Sequence, residues 1–307
     1  MTQKISWLAG VLALQLVLAL SLFLLGGNAT DFKAGPLFQF DEKNVDKLVI
    51  SDGKETVTLE KSDAGWMVTG LNGLGAAHTK VEALIARLAS LQSRWPVATT
   101  PVSHQRFEVS EDKFQRKVEI YANKQPLGVL FVGDSPGFKK SHVRVDGADA
   151  VYSLELNAYD LPASSTDWLD KTLLTVNNLT RIKGRDFEIN KDTDGWRFPG
   201  QEQQVNQQQA EALDKALGAV QVMAVAENPP ALEGDNLITI TVDGDGTYTY
   251  QLLKVDEKYY IKRSDIAPVF TLSQYEFERL AKPDGQSLSL IEPEQSDNAA
   301  EQNKTAE

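Results

Sequence analysis

Residues 38–161 and 174–280 run through the same succession of features, so whatever the first stretch folds into, the second must repeat. The first copy opens on Val45-Asp-Lys-Leu-Val-Ile50, turns at Asp52-Gly53, continues through Thr56-Val-Thr-Leu-Glu60 and reaches Asp63-Ala-Gly-Trp66-Met-Val68. The second reads Leu179-Thr-Arg-Ile-Lys183, a turn near Gly184, Phe187-Glu-Ile-Asn190 and Asp194-Gly-Trp196-Arg-Phe198. Alternating apolar residues around Gly and Asp turns predict β-hairpins.

One amphipathic helix follows in each copy. Val81, Leu84, Ile85 and Leu88 fall at i, i+3, i+4 and i+7, with Thr79 as the expected N-cap and Glu82 completing a capping box. Ala210, Leu213, Ala216 and Leu217 repeat the spacing. Paired strands are then predicted at 118–122 with 128–132 and at 142–145 with 151–154. In the second copy the pairs are 238–242 with 248–253 and 259–262 with 269–272. A short helix is expected to close each copy, at 158–161 and 275–280. Each unit would lay a helix on an antiparallel sheet, an α+β class.

Ahead of the repeats, residues 5–25 form an apolar run without a charge. As a helix this run would reach about 30 Å, the hydrocarbon thickness of a bilayer, and it exceeds the usual signal-peptide core of about 7–15 residues. The expected architecture is therefore a single N-terminal transmembrane helix followed by two tandem copies. Residues 1–4 would be a cytoplasmic N-terminus, 5–27 the anchor, 28–37 a linker, 38–162 and 163–282 the two repeats, and 283–307 a disordered acidic tail. Lys4 and the amino terminus favour an exported bulk, which places the protein in a bacterial inner membrane with its ectodomain on the periplasmic side.

The net charge of −12 argues against nucleic acid as a partner and against attraction of the body as a whole to an anionic membrane. With no cysteine, disulfides, thiol catalysis, Cys-based zinc sites and a lipoprotein anchor are all removed.

Reactive motifs do not assemble. Gly133-Asp134-Ser135 looks like a nucleophile turn, but His78, His104 and His142 each lack an Asp three residues earlier, and none lies in the C-terminal half. Asp243-Gly-Asp-Gly246 would need a carboxylate at position 254, which is Lys254, and Asp192-Thr-Asp-Gly195 has its glycine too early for a calcium loop. Trp66 and Trp196, at equivalent places, read as core rather than sugar platforms. Tyr248 and Tyr250 share one strand face and, with Tyr259 and Tyr260, form either a docking patch or a covered sheet face. No catalytic, cofactor-binding or metal-ligating residue is expected.

The order of Gly-Trp after a hairpin, a helix before a strand, Gly133-Asp134, His142-Val-Arg144, a Gly147 turn and Val151-Tyr152 resembles domain of unknown function family 4340, more clearly in the first copy. The resemblance implies an envelope protein whose relatives are often encoded beside ABC-type transporter components of the gliding-motility class. It brings no catalytic residues to this chain. The expected role is a non-enzymatic accessory or scaffold subunit of such a transport system, with the membrane and the system's membrane proteins as partners. An envelope hydrolase or a glycan- or peptidoglycan-binding module is the alternative.

Overall fold

The computed structural model describes residues 2–25, 34–201 and 203–290, and of the first helix only the side chains of Trp7 and of residues 10–21. The described elements in chain order are α1 (Thr2–Leu25), β1 (Val45–Ser51), β2 (Thr56–Ser62), β3 (Gly65–Thr69), β4 (Leu74–Gly75), α2 (His78–Ala89), α3 (Val102–Arg106), β5 (Arg116–Ala122), β6 (Gln125–Val132), β7 (Ser141–Val145) and β8 (Tyr152–Leu154). There follow β9 (Arg181–Lys183), β10 (Glu188–Asp192), β11 (Gly195–Arg197), α4 (Gln207–Gly218), β12 (Ala224–Val225), β13 (Ile238–Asp243), β14 (Thr247–Val255), β15 (Lys258–Arg263), β16 (Phe270–Leu272) and α5 (Gln274–Ala281).

These strands make two eight-stranded sheets, ordered β4-β3-β2-β1-β5-β6-β7-β8 and β11-β10-β9-β13-β14-β15-β16-β12. The expected fold class is thereby corrected: the described chain is mostly antiparallel β with few helices. The membrane-spanning helix is corrected as well, because among the described residues no helix is long and apolar enough to cross a membrane. Of the tail expected from residue 283, residues 283–290 are described and Leu288 is fully buried, while the rest lies outside the described residues.

Local chemistry explains why strands outnumber helices. Asp52 accepts from Lys54 N and Glu55 N at 2.9 and 2.8 Å, closing the β1–β2 turn. Asn123 and Lys124 both take positive φ, 51° and 62°, which matches the twist of the β5–β6 hairpin. The closing helix expected at 158–161 shrinks to the 3₁₀ turn Ala158–Asp160, because Pro162 follows too soon for an α-helical nucleus to propagate. Thr79 does not cap α2; the helix begins at His78, directly after the extended residues 75–77.

Contacts divide the chain into two units, Met1–Gly70 with Thr79–Ser165 and Leu71–His78 with Thr166–Glu307. In the first, Val81, Leu84, Ile85 and Leu88 of α2 are buried, as are Leu48, Ile50, Val57, Leu59, Val118 and Ile120 of the sheet. Each such side chain contributes about 1.5–3 kcal/mol by leaving water. On the opposite face of β6, Phe131 joins Val109 and Val151 in a small second cluster, with Ala98, Phe107, Phe114 and Val129 packed against it. In the second unit, Ala210, Leu213, Ala216 and Leu217 of α4 pack with Ile182, Ile189, Ile240, Val242, Leu252 and Ile261 in one core. Ion pairs decorate the sheets where they meet water: Lys47–Glu60 and Lys117–Glu119, both 2.8 Å, in the first, and Lys183–Glu188 at 3.0 Å in the second.

The edge strand β11 is closed by a side chain. Gln207 Oε1 accepts from Trp196 N at 2.9 Å and Gln207 Nε2 donates to the Trp196 carbonyl at 2.6 Å, so one amide supplies what a neighbouring strand would. Residues just before each packing helix pair with a segment from far along the chain: Ala76 bridges Leu169, and Val205 bridges Ser289.

Gln207→Ala should leave both Trp196 backbone groups unpaired and cost about 1–3 kcal/mol in urea unfolding, with a tendency to associate through the freed edge. Leu288→Ala should cost about 2–5 kcal/mol in the same measurement, whereas a truly disordered tail would register no change.

Candidate functional site

The sequence singles out the turn after β6, and there the structure brings together residues that spacing alone kept apart. Asp134 and His142 stand at the two ends of the β6–β7 connection, and His142 Nδ1 donates to Asp134 Oδ1 at 2.7 Å. The His142 ring lies 4.3 Å from Phe107 between centroids, and its side chain is buried. An acid orienting a histidine is two-thirds of a nucleophilic triad. The missing third is Ser135. Its hydroxyl is directed to the carbonyls of Gly137 and Lys140, at 2.8 and 2.7 Å, so it braces the turn. Sequence reasoning missed the Asp134–His142 pair because it sought a local Asp-x-x-His spacing, while a hairpin connection joins partners eight residues apart.

The other histidines stand elsewhere. His104 in α3 donates through Nε2 to the Asp149 carbonyl at 3.0 Å, and His78 begins α2.

A second polar feature occurs in both copies. Arg144 closes β7 opposite Phe131, and Arg263 closes β15 opposite Tyr250. Both are buried, at 5% and 7% exposure, and each is followed two residues later by an aspartate, Asp146 or Asp265. Arg144 donates to the Val109 and Ala148 carbonyls at 2.7 and 3.3 Å, with its guanidinium 4.6 Å from the Phe131 ring centroid. Arg263 grips Asp265 with two hydrogen bonds, 2.7 and 2.9 Å, donates to the Thr175 carbonyl at 3.0 Å, and lies 4.4 Å from the Tyr248 ring. That bidentate contact holds the Asp265 carboxyl below its ordinary range. These arginines are clasps between strand ends and loops, with their donors occupied by the fold.

The remaining candidates become structural in the same way. Asp243 accepts from Arg181 at 2.7 Å and from Thr247 at 2.8 Å, which holds its carboxyl low and shapes the β13–β14 turn. Asp192 accepts from Asp194 N at 2.9 Å in the β10–β11 hairpin. Trp66 and Trp196 are each 2% exposed, and both indole N–H groups are buried without an acceptor, so neither ring face can meet a sugar. Tyr250, Tyr259 and Tyr260 are buried, leaving only Tyr248 partly exposed beneath Arg263.

The concave surface that composition did not reveal lies beside the turn at 184–187. One hollow of about 460 Å³ has Phe187, Ile238, Ile240 and Leu280 among its walls and Arg185 and Lys282 at its margin. A neighbouring hollow of about 570 Å³ shares Phe187 and continues past Glu188 and Phe198. Gly184 makes this shape possible, since a Cβ there would stand 2.2 Å from the Phe187 ring. Apolar walls with both signs of charge around them, Arg185 and Lys282 against Asp186 and Asp284, suit an amphiphilic segment.

A family profile described as Domain of unknown function (DUF4340) matches residues 66–237, from Trp66 in β3 to the residue before β13. No curated protein and no solved structure matches the chain.

Burial pushes the Tyr250 phenol from 10.0 up to about 12, against the opposing influence of Arg263. A phenol that ionises later in the folded chain stabilises it fully below pH 10 and loses that contribution as pH rises towards about 12. The displacement corresponds to roughly 2–3 kcal/mol. Tyr250→Phe should therefore flatten the fall in unfolding free energy over this window, and absorbance titration should lose one late-ionising tyrosine.

Proposed function

The chain belongs to the DUF4340 family, and from that membership we propose that it is a non-enzymatic protein of the bacterial cell envelope. It serves as an accessory or scaffold subunit of an ABC-type, gliding-motility-like transport system, with its two β units on the extracytoplasmic side and membrane proteins of that system as partners. Nucleic acid has no place in this reading, given the net charge of −12.

The observation that carries it is the occupation of the reactive-looking groups. Ser135 braces a turn, His142 is packed on Phe107 and bound to Asp134, and the two buried arginines clasp backbone. What remains available is surface: charged sheet faces and an amphiphilic hollow beside Phe187. Such surfaces bind, and holding them beside a transporter raises the effective concentration of whatever they engage.

Photo-crosslinkers introduced at Arg185 and Lys282, at the margin of the hollow, should trap membrane components of an ABC-type system in intact cells. Recovery of no transporter component from either position would count against the reading. So would turnover of an ester or cell-wall polymer by the purified chain that disappears in Ser135→Ala.

A further inference from the structure

The β6–β7 connection is built to hold one aromatic side chain out in water. Residues 135–140 are all exposed, and Phe138 is 88% exposed, although the base of the same connection is locked. Gly133 is buried at that base, and a Cβ there would come within 1.9 Å of the Phe107 carbonyl. Asp134 N donates to that carbonyl at 3.2 Å, and its carboxylate is engaged by His142. Beyond it, Ser135 ties the Gly137 and Lys140 carbonyls, and Lys140 N returns to Gly137 O at 3.2 Å. The turn so closed places Lys139 at φ +57°, a left-handed conformation that a glycine or asparagine would adopt at less cost. The exposed Phe138 ring buries little area that could favour folding, and Lys139 Nζ stands 5.2 Å from its centroid.

We propose that this tip is a contact point for an anionic lipid surface, with Phe138 entering the interfacial layer while Lys139 and Lys140 meet the headgroup charges. Three features favour a lipid surface over a folded partner. A projecting tip of this size falls far short of the roughly 800 Å² per side that a stable protein interface needs, whereas a bilayer interface yields to a single ring without a matching pocket. An aromatic side chain followed directly by two lysines has the chemistry of that layer, an apolar ring beside cationic groups. Charge also orients the contact: the chain carries −12 overall, so most of its surface is repelled by anionic lipid, while the tip presents two lysines and has its one carboxylate, Asp134, engaged by His142 at the base. The inference is independent of the accessory-subunit role and stands or falls by itself.

The chain has no cysteine, so Gly137→Cys gives a unique nitroxide site, and a Cβ at Gly137 meets nothing within 4 Å. The labelled full-length chain is mixed with vesicles of phosphatidylglycerol and phosphatidylcholine, or of phosphatidylcholine alone. The expected result is a shift of the label from a water-soluble relaxant to oxygen on the anionic vesicles. Phe138→Ser should abolish the shift, and Lys139→Glu with Lys140→Glu should lower the inserted fraction by about tenfold or more. Because the probe sits on the tip, vesicle binding through any other part of the chain cannot imitate this signal. A label that stays in water on anionic vesicles, or that shifts equally on phosphatidylcholine alone, overturns the proposal. So does immobilisation that needs protein-containing membranes and is absent from pure lipid.

Discussion

An antiparallel sheet has one apolar face to cover and two rows of unpaired backbone groups to close, and this double requirement organises both halves of the chain. Covering falls to α2 in the first copy and α4 in the second, each presenting four buried residues at helical spacing. Closing is done with whatever lies at hand: the Gln207 amide on β11, and an isolated bridge from Ala98 to Val151 beside β8. Without these closures the apolar strands would be templates for other chains, since an unpaired edge costs little to extend.

The buried arginines answer a related demand. Burying a guanidinium is costly unless its donors are satisfied, so a charge retained at the same strand end in both copies has to be placed where acceptors converge. Arg144 finds them mainly in backbone carbonyls, that of Val109 and that of Ala148 in the β7–β8 turn, with Asp146 farther off at 3.8 Å. Arg263 finds a carboxylate, Asp265, two residues on. The position is shared while the partners differ, which is what a common scaffold does when its loops diverge: the strand end fixes where the charge stands, and the local loop decides how it is neutralised.

The duplication was legible from residues because it is written in local chemistry. Gly and Asp turns, period-two strands and the i, i+3, i+4 faces of two helices recur in order, and β3-β2-β1-β5-β6-β7-β8 is matched by β11-β10-β9-β13-β14-β15-β16. The fold class was misjudged because helices announce themselves by long periodic runs while three-residue strands such as β8, β9 and β16 hardly do, so the sheets were underweighted. Long-range partners were hidden for a different reason. Nothing local in Leu288 or in Gln207 says that the one is buried and the other caps an edge, because both facts depend on where the chain returns. At the candidate site the same limit applied: Asp134 and His142 are joined by the path of a hairpin connection rather than by helical spacing.

The two copies agree in the features that fold them and differ in what they display at the surface. Both keep the hairpins, the packing helix, the Trp beside a lysine and the arginine at the strand end. Among the described residues, α3 and the tip displaying Phe138 belong to the first copy alone. In the second, a glycine lets Phe187 fold against the 184–187 turn, and the hollows open beside it. A duplicated unit that needed only to fold would have no reason to hold Phe138 out in water or to leave Phe187 flanked by open hollows. The asymmetry, placed on one repeated framework, gives two unlike surfaces from one folding solution, which is what the proposed scaffold role would draw on.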